Sequence, residues 1–254
     1  MKLKNLKQIR RIRESGIVLA RTLEQLGQMV EPGVPLLDID AQCRALLKAA
    51  GASPAFLGYM GFPAALCVSV NEEVIHGIPT KRKLRDGDVV SLDLGVDLEG
   101  YISDAAATFP VGNVSPEVDE LLRVTRQALE LGIGAARAGG RIQDISRAIY
   151  DHVTTFGYGV VRPYCGHGVG FAVHEEPQVP NYVSRGPNPR LKPGLVIAVE
   201  PMINLGGDDV EVLDDDWTVV TKDRSVSAHF EHTIAILEDR VEIVTRAEES
   251  VEVP

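Results

Sequence analysis

Two apolar runs separated by a short polar break form the most regular hydrophobic pattern in the chain. The first run covers residues 89–96, the second covers 101–109, and the polar break covers 97–100. Apolar runs of this length that are bounded by turn residues predict the two strands of a β-hairpin. Each run carries one aspartate, Asp93 in the first and Asp104 in the second. We predict that these aspartates lie directly opposite each other on one face of the hairpin.

The two aspartates allow two interpretations. Carboxylates that face each other across a strand pair have Cβ atoms about 5 Å apart and repel each other, and burying them costs several kcal/mol unless a cation pairs with them. This interpretation predicts a cation site. In the alternative, both aspartates are exposed and protect the edge of the sheet from pairing with another chain.

Helical spacing of apolar residues occurs in two pairs of segments, one pair in each half of the chain. The predicted helices cover residues 4–30, 38–51, 116–138 and 144–157. In both pairs, a helix-stopping glycine precedes a predicted N-cap aspartate by five residues, and that aspartate precedes a closing glycine by thirteen. These residues are Gly33, Asp38 and Gly51 in the first pair, and Gly139, Asp144 and Gly157 in the second.

A second repeat lies in the predicted strands. Residues 84–93 and 191–200 match in residue type, and in both segments a carboxylate follows a turn glycine by six residues. These carboxylates are Asp93 and Glu200. We therefore predict one domain, 1–254. Its two halves, about 1–110 and 111–254, should pack about a pseudo-twofold axis.

The second half also offers a counterpart of Asp104. Two further strands are predicted over 217–221 and 228–236, and Glu231 lies in the second of them. The repeat then brings four carboxylates together. Four carboxylates cannot all stay ionised in a dry cavity, and two divalent cations, held about 3.5 to 4 Å apart as in dinuclear hydrolases, would neutralise them.

Composition places the chain among ordinary globular proteins. It has 254 residues, 44% of them apolar and 24% charged, and a net charge of -10 that disfavours nucleic acid and anionic membranes as partners. No apolar run is long enough to span a membrane, and no secretory signal follows the basic N-terminus. Three cysteines without paired spacing indicate free thiols. We expect a cytoplasmic protein with no membrane or nucleic-acid partner.

Three of the six histidines have a sequence context that favours function. His167 lies between glycines in Gly166-His167-Gly168, His174 follows seven residues later, and His76 precedes a proline-rich turn before the first aspartate strand. For His152 and His229 we expect a structural role. His232 adjoins a carboxylate, but neighbours in a strand point to opposite faces, so we do not expect it to be a ligand.

These motifs together resemble the type I methionine aminopeptidase family of M24 peptidases, and the resemblance covers nearly the whole chain. The matching segments are 71–79, Asp93, Asp104, 166–168, 174–177, 200–202 and 231–233. The resemblance implies a pita-bread fold, an α+β (mixed α/β) architecture in which helices cover a curved antiparallel sheet. Type II enzymes carry a helical insertion after the His174 region, and only 26 residues separate His174 from Glu200, which leaves no room for it.

The resemblance also implies a ligand set and a mechanism. The implied metal ligands are Asp93, Asp104, His167, Glu200 and Glu231, which would hold two divalent ions of Co, Mn, Fe, Zn or Ni. The implied catalytic residues are Glu200, which would move protons from the attacking water to the leaving amine, His174, which would stabilise the oxyanion, and His76, which would contact the scissile amide.

The implied activity is removal of the N-terminal methionine from nascent proteins and peptides, with preference for a small second residue. The implied methionine pocket consists of Tyr59, Phe62, Cys67 and Trp217, with Phe56 as a weaker candidate. Each of these residues could instead belong to the core, as apolar residues usually do. The expected partners are nascent polypeptide N-termini, with ribosome association as a further option, and the expected state is a monomer.

Two other functions fit parts of the pattern. A proline-specific pita-bread peptidase would carry a large N-terminal domain, whereas only about one predicted helix precedes Gly33. A non-catalytic pita-bread binding protein would have lost metal ligands, whereas all five implied ligands and both accessory histidines are present. The sequence therefore favours a metal-dependent methionine aminopeptidase.

Overall fold

The computed structural model describes residues 1–247 of the chain. Four α-helices are present in this part: α1 (Leu6–Gly27), α2 (Leu36–Ala49), α3 (Pro116–Ala135) and α4 (Ile142–Thr154). The strands of the N-terminal half are β1 (Ser53–Pro54), β2 (Cys67–Val70), β3 (Glu73–Ile75), β4 (Val89–Leu98) and β5 (Tyr101–Pro110). The remaining strands are β6 (Gly159–Val160), β7 (Gly166–Gly168), β8 (Glu175–Val179), β9 (Val196–Val199), β10 (Met202–Asn204), β11 (Val210–Val212), β12 (Val219–Thr221), β13 (Ser227–His229), β14 (His232–Ile236) and β15 (Val241–Ile243).

Every strand pair in the four sheets is antiparallel, and the two largest sheets carry the carboxylates. In the first, β4 pairs with β1, β2 and β5. In the second, the strand order is β15-β14-β9-β7-β8. The helices and antiparallel sheets confirm a mixed α/β architecture. None of the described helices has both the length and the apolarity needed to cross a bilayer.

Each helix pair packs on one of these sheets through a buried apolar cluster. Helices α1 and α2 contribute Leu19, Leu26 and Ile39 to a cluster with the β4 residues Leu92 and Leu94. The equivalent cluster in the second half joins α3 and α4 to β9 and β14; its members include Leu121, Ile145, Ile197 and Ile234. Burying such side chains contributes about 1.5–3 kcal/mol each. The apolar face of each helix therefore fixes the sheet from which the carboxylates project.

The predicted repeat is visible in equivalent hydrogen bonds. The amide of Gly33 donates to the carbonyl of Leu84 at 2.7 Å, and the amide of Gly139 donates to the carbonyl of Leu191 at 2.8 Å. Both glycines have positive φ, 95° and 81°, a conformation that favours glycine. The sequence spacing of the two helix pairs is therefore reproduced as one local motif used twice.

The predicted N-caps were wrong by three residues. The N-cap of α2 is Pro35 and that of α4 is Arg141, so Asp38 and Asp144 lie in the first turn of their helices. The Asp144 carboxylate accepts a hydrogen bond from the Arg141 amide at 2.8 Å. An acidic side chain in the first turn also interacts favourably with the helix dipole. The aspartates thus stabilise the predicted helix starts from inside the helix.

The β4–β5 hairpin forms as predicted but in a different register. Asp93 pairs with Ala106, and Asp104 pairs with Gly95, because the turn closes between Leu98 and Tyr101. Glu99 and Gly100 occupy this turn with positive φ. The prediction of directly opposed aspartates was therefore wrong. The two carboxylates lie on the same face as diagonal neighbours, which keeps them within reach of one cation cluster.

The predicted strand over 228–236 is interrupted. It consists of β13 and β14, with Phe230 and Glu231 between them. This interrupted segment runs antiparallel to β5 at the junction of the two sheets, where the Glu231 amide donates to the Ala106 carbonyl at 2.9 Å. The predicted strand over 217–221 begins at Val219, so Trp217 precedes it.

Threonine side chains complete this junction on both sides of Glu231. The Thr108 hydroxyl donates to the His229 carbonyl and accepts from the His229 amide, at 2.7 and 2.8 Å. The Thr233 hydroxyl makes the same pair of bonds with the backbone of Asp104, at 2.7 and 3.0 Å. A hydroxyl both donates and accepts, so it can pair with both backbone groups of one residue on the facing segment. The threonines therefore hold the segments that carry Asp104 and Glu231 against each other.

Candidate metal centre

The five side chains predicted as metal ligands converge from five strands or strand ends. Asp93 projects from β4, Asp104 from β5 and His167 from β7, whereas Glu200 follows β9 and Glu231 precedes β14. All five line one cavity and all five are buried. Ligand atoms of Asp104, His167 and Glu231 lie within 4.8 Å of one another. The structure thus brings together residues separated by up to 138 positions in the chain.

His167 faces the carboxylates with one ring nitrogen and anchors itself with the other. Its Nδ1 lies 2.9 Å from the Gly168 carbonyl, which can only accept, so Nδ1 carries the proton. Its Nε2 then carries a lone pair. This atom lies 3.5 Å from Glu200 Oε1 and 3.9 Å from Asp104 Oδ2. A ligating histidine in proteins is usually oriented by this kind of backbone contact.

Burial and mutual repulsion perturb the carboxylates. Burial raises the pKa of Asp93 to about 7, partly offset by a hydrogen bond with the Cys67 thiol. Burial, with the nearby Asp93 charge, raises the pKa of Glu200 to about 8. Burial and neighbouring acidic groups also raise the pKa values of Asp104 and Glu231 well above the usual range. Such carboxylates hold protons unless a cation replaces them.

The donor set fits a divalent cation. Three oxygens, Asp93 Oδ1, Asp104 Oδ1 and Glu231 Oε1, are buried and have no hydrogen-bond partner among the described residues. Leaving such atoms unpaired costs about 1–3 kcal/mol or more each. Carboxylate oxygens with one imidazole are ligands that Mn²⁺, Fe²⁺, Co²⁺ and Zn²⁺ accept. The unpaired oxygens therefore provide places for metal bonds.

The two predicted accessory histidines lie beside this cluster. The ring centroids of His174 and His167 are 4.2 Å apart, and His174 Nδ1 lies 3.0 Å from the Tyr59 hydroxyl. His76 has a positive φ of 59° and lies edge-on to Trp217. Burial, and to a smaller extent the nearby His174, lowers the pKa of His76 to about 4, so its imidazole is neutral at pH 7.

Apolar side chains line the rest of the cavity. The predicted pocket residues Tyr59, Phe62, Cys67 and Trp217 all line it. Phe62 and Trp217 pack edge to face with their centroids 5.1 Å apart. Phe56, the weaker candidate, lines the cavity too, and so does Met60, which sequence reasoning missed. Carboxylates and imidazoles therefore line one part of the cavity, and apolar side chains line the rest.

A buried ion pair holds the segment that carries His174. Lys4 Nζ lies 2.8 Å from Glu175 Oε2, and the two side chains are only 1% and 3% exposed. The other carboxylate oxygen of Glu175 accepts from the Phe171 amide at 2.8 Å. The Lys4 amide itself donates to the Gly194 carbonyl at 2.7 Å. The N-terminal segment therefore fixes the loop beside the cavity.

The remaining histidines divide into two groups. His232 Nδ1 lies 2.9 Å from the Thr245 hydroxyl, and the residue is not among those that line the cavity, as predicted. His229, for which we expected a structural role, lies 3.8 Å from Glu200 Oε2 and 4.0 Å from Glu231 Oε2. A sequence signal existed, because residues two apart in a strand share a face and Glu231 is two residues away. All three cysteines are free thiols, as expected.

Comparison with known proteins agrees with this geometry. The model of metallopeptidase family M24 matches residues 10–238. A methionine aminopeptidase of Treponema pallidum is 50% identical over 250 residues, which cover 98% of each chain.

Solved structures give the same result for the fold. The crystal structure of a methionine aminopeptidase from Thermotoga maritima superposes with a TM-score of 0.94 at 41% identity, covering 97% of this chain and 99% of that one. A prolidase from Pyrococcus furiosus has a TM-score of 0.80 at 22% identity, covering 97% of this chain and 66% of the prolidase. The second similarity shows a shared fold only. The predicted pita-bread architecture is thus confirmed.

Proposed function

We infer the function of this chain from one premise: it belongs to metallopeptidase family M24. Its relatives of 40–50% identity over nearly the whole chain are methionine aminopeptidases. The chain is accordingly a metal-dependent aminopeptidase that removes N-terminal methionine. The observation that carries this function is the cluster of buried, unpaired carboxylate oxygens beside an apolar cavity. A prolidase function is not favoured, because the chain is only 22% identical to the Pyrococcus furiosus prolidase.

The metal site in this proposal consists of the five converging side chains. Asp93, Asp104, His167, Glu200 and Glu231 would hold two divalent ions, drawn from Co, Mn, Fe, Zn or Ni. Four carboxylates against two dications balance in charge, which supports this stoichiometry. When bound, the ions supply Lewis acidity and lower the pKa of water.

The chain's own residues perform the remaining steps. Glu200, whose pKa is raised by burial, accepts a proton from the attacking water and returns one to the leaving amine. His174 donates a hydrogen bond to the developing oxyanion. The Tyr59 hydroxyl can donate to His174 Nδ1, which leaves the proton on Nε2 for this purpose. His76, neutral at pH 7, contacts the scissile amide.

Substrate selection follows from the apolar side chains of the cavity. Tyr59, Phe62, Cys67 and Trp217 hold the methionine side chain, with Phe56 beside them. A small second residue is preferred in this proposal, and the substrates are nascent polypeptide N-termini. We propose further that residues 1–254 act as one catalytic domain, as a cytoplasmic monomer with optional ribosome association. The last seven residues of this domain lie outside the described part.

Metal reconstitution tests the proposal. Protein stripped with a chelator would be loaded with single divalent metals and assayed on a Met-Ala-Ser peptide and on an Xaa-Pro peptide. We expect methionine release only with metal, and a lower melting temperature for the stripped protein, because ligands that bind the folded state stabilise it. No methionine release under any of these metals would overturn the proposal, whereas turnover of the Xaa-Pro peptide alone would favour the prolidase function.

A pair of glutamate variants separates the role of the site from general damage. Glu200→Gln should abolish methionine release, because the amide can neither accept the proton nor bind metal as a carboxylate does. Glu176→Gln changes an exposed carboxylate near the cavity and should leave activity unchanged. Equal activity of the two variants would contradict the role of Glu200.

A further inference from the structure

His229 is a buried imidazole for which the proposed mechanism has no use. It is 1% exposed, and neither Nδ1 nor Nε2 has a hydrogen-bond partner among the described residues. Buried polar groups in proteins are nearly always paired. Leaving one unpaired destabilises the folded state. The partner of this imidazole is therefore expected among the groups that it faces.

The backbone of His229 is held in place by the opposite half of the molecule. The Thr108 hydroxyl bonds both its carbonyl and its amide, at 2.7 and 2.8 Å. In β13, His229 also pairs in register with Met202 of β10. With its backbone fixed on two sides, the ring projects in a defined direction.

That direction is toward the carboxylates. His229 Nε2 lies 3.8 Å from Glu200 Oε2 and 4.0 Å from Glu231 Oε2. The other oxygen of Glu200 faces His167 Nε2 at 3.5 Å. Hydrogen bonds between N–H groups and carboxylates form at about 2.7–2.9 Å. A shift of about 1 Å therefore brings His229 into hydrogen-bond distance of Glu200.

We propose that His229 is a positioning residue of the metal site, whose Nε2–H group donates to Glu200 Oε2 and turns the Glu200 carboxylate toward the cation. The inference rests on the proposed metal-binding function of Glu200. Ligating carboxylates commonly receive such hydrogen bonds, and losing the donor typically costs 10–100-fold in metal affinity. This role accounts for the position of the imidazole and gives its Nε2 a partner.

Two substitutions at position 229 test this role. His229→Leu keeps an apolar bulk but removes the donor, whereas His229→Gln keeps a side-chain N–H. Metal affinity would be measured by calorimetric titration of Mn²⁺ into chelator-stripped protein, and the absorption spectrum of the Co²⁺-loaded protein would report ligand geometry. We expect a loss of about 10–100-fold for Leu and a substantial recovery for Gln.

The stability of the stripped protein separates this role from a structural one. Replacing an unpaired buried polar group by leucine should leave the melting temperature of the metal-free protein unchanged or higher. The expected result for His229→Leu is therefore weaker metal binding without lower stability. A lower stability with unchanged metal affinity would show a structural role and overturn the inference.

His152→Leu is the matched control. His152 also has a buried, unpaired Nε2, but it lies on α4 against Phe156. This variant should bind Mn²⁺ as the unmodified protein does. Loss of all metal binding in both position-229 variants would make His229 a direct ligand and overturn the positioning role. Absence of binding in the unmodified protein would instead refute the proposed metal site itself.

Discussion

The two halves of the site hold their carboxylates in different ways. Asp93 and Asp104 lie on the long continuous strands of one hairpin, each ten residues in length. Glu200 and Glu231 lie where short strands stop, one after β9 and one between β13 and β14. The same helix-pair motif supports both halves. One half therefore presents its carboxylates on a continuous strand pair, and the other presents them where strands end.

This difference shows which side chains a local sequence pattern can place and which it cannot. A hairpin joins residues close in sequence, so the geometry of Asp93 and Asp104 depends on one turn and its strand register. The position of Glu231 depends on contact with Ala106, 125 residues away. The packing of the two sheets against each other therefore places Glu231 at the site. We therefore expect both halves to be needed for metal binding. Substitutions away from the carboxylates should affect the two halves differently.

Removal of one carboxylate from each half should have the largest effect. Asp104→Ala and Glu231→Ala each delete a proposed ligand, and each should reduce Mn²⁺ affinity by more than the roughly 10–100-fold typical of an outer hydrogen-bond partner. The rate of methionine release should fall together with the metal affinity. Calorimetry and a peptide assay would measure both.

The control for these variants lies on the same hairpin. Asp97→Ala removes a carboxylate that caps the Gly100 amide at 2.7 Å, outside the cavity. Its metal affinity should match that of the unmodified protein. Retained turnover in Asp104→Ala would refute the ligand role of that residue and the equivalence of the halves.

Disruption of the Lys4–Glu175 pair should have the next largest effect. Lys4→Met leaves a buried carboxylate without its cation, which typically costs about 3–5 kcal/mol. Urea unfolding would measure this loss, and the double variant Lys4→Met with Glu175→Gln should recover much of it. Arg123→Met breaks an exposed pair with Glu120 and should cost far less stability, because water screens the attraction between exposed charges. Equal losses of unfolding free energy in Lys4→Met and Arg123→Met would show that the Lys4–Glu175 pair does not hold the segment that carries His174.

Metal binding should strengthen as the pH rises. The raised pKa values of Asp93, about 7, and Glu200, about 8, mean that protons compete with metal at both positions. Raising the pH from 6 to 8 deprotonates most of the Asp93 carboxyl groups and about half of the Glu200 carboxyl groups, so affinity should increase by up to about tenfold per pH unit for each displaced proton. Titrations of Mn²⁺ in buffers of different ionisation enthalpy would count the protons. An affinity that does not change between pH 6 and 8 would contradict the raised pKa values.

The threonines at the junction should give the smallest effect. Thr108→Val and Thr233→Val each leave a backbone amide and carbonyl without their hydroxyl partner, which should cost about 1–3 kcal/mol in unfolding free energy. Thr125→Val is the control, because the Thr125 hydroxyl bonds a helix carbonyl at 2.8 Å and no strand junction depends on it. If the control variant loses as much stability as the others, the junction has no special role.

Much of this protein followed from the sequence alone. Periodicity and turn residues predicted both helix pairs and the hairpin, because each depends on residues that are close to one another in the chain. The resemblance supplied the five expected ligand residues, and the structure places all five side chains in one cavity. Two of the errors were local as well: an N-cap is decided by backbone geometry at one residue, and a register by which residues take the turn.

Only the tertiary structure decided the features that depend on distant contacts. The interruption of the predicted strand at Glu231 exists because its amide meets Ala106 at the junction of two sheets. His229 faces the carboxylates because Thr108 holds its backbone. Lys4, one of several lysines in a basic N-terminus, is buried because Glu175 lies beneath it. Sequence patterns report which face a residue occupies, whereas partners more than a hundred positions away are chosen by packing.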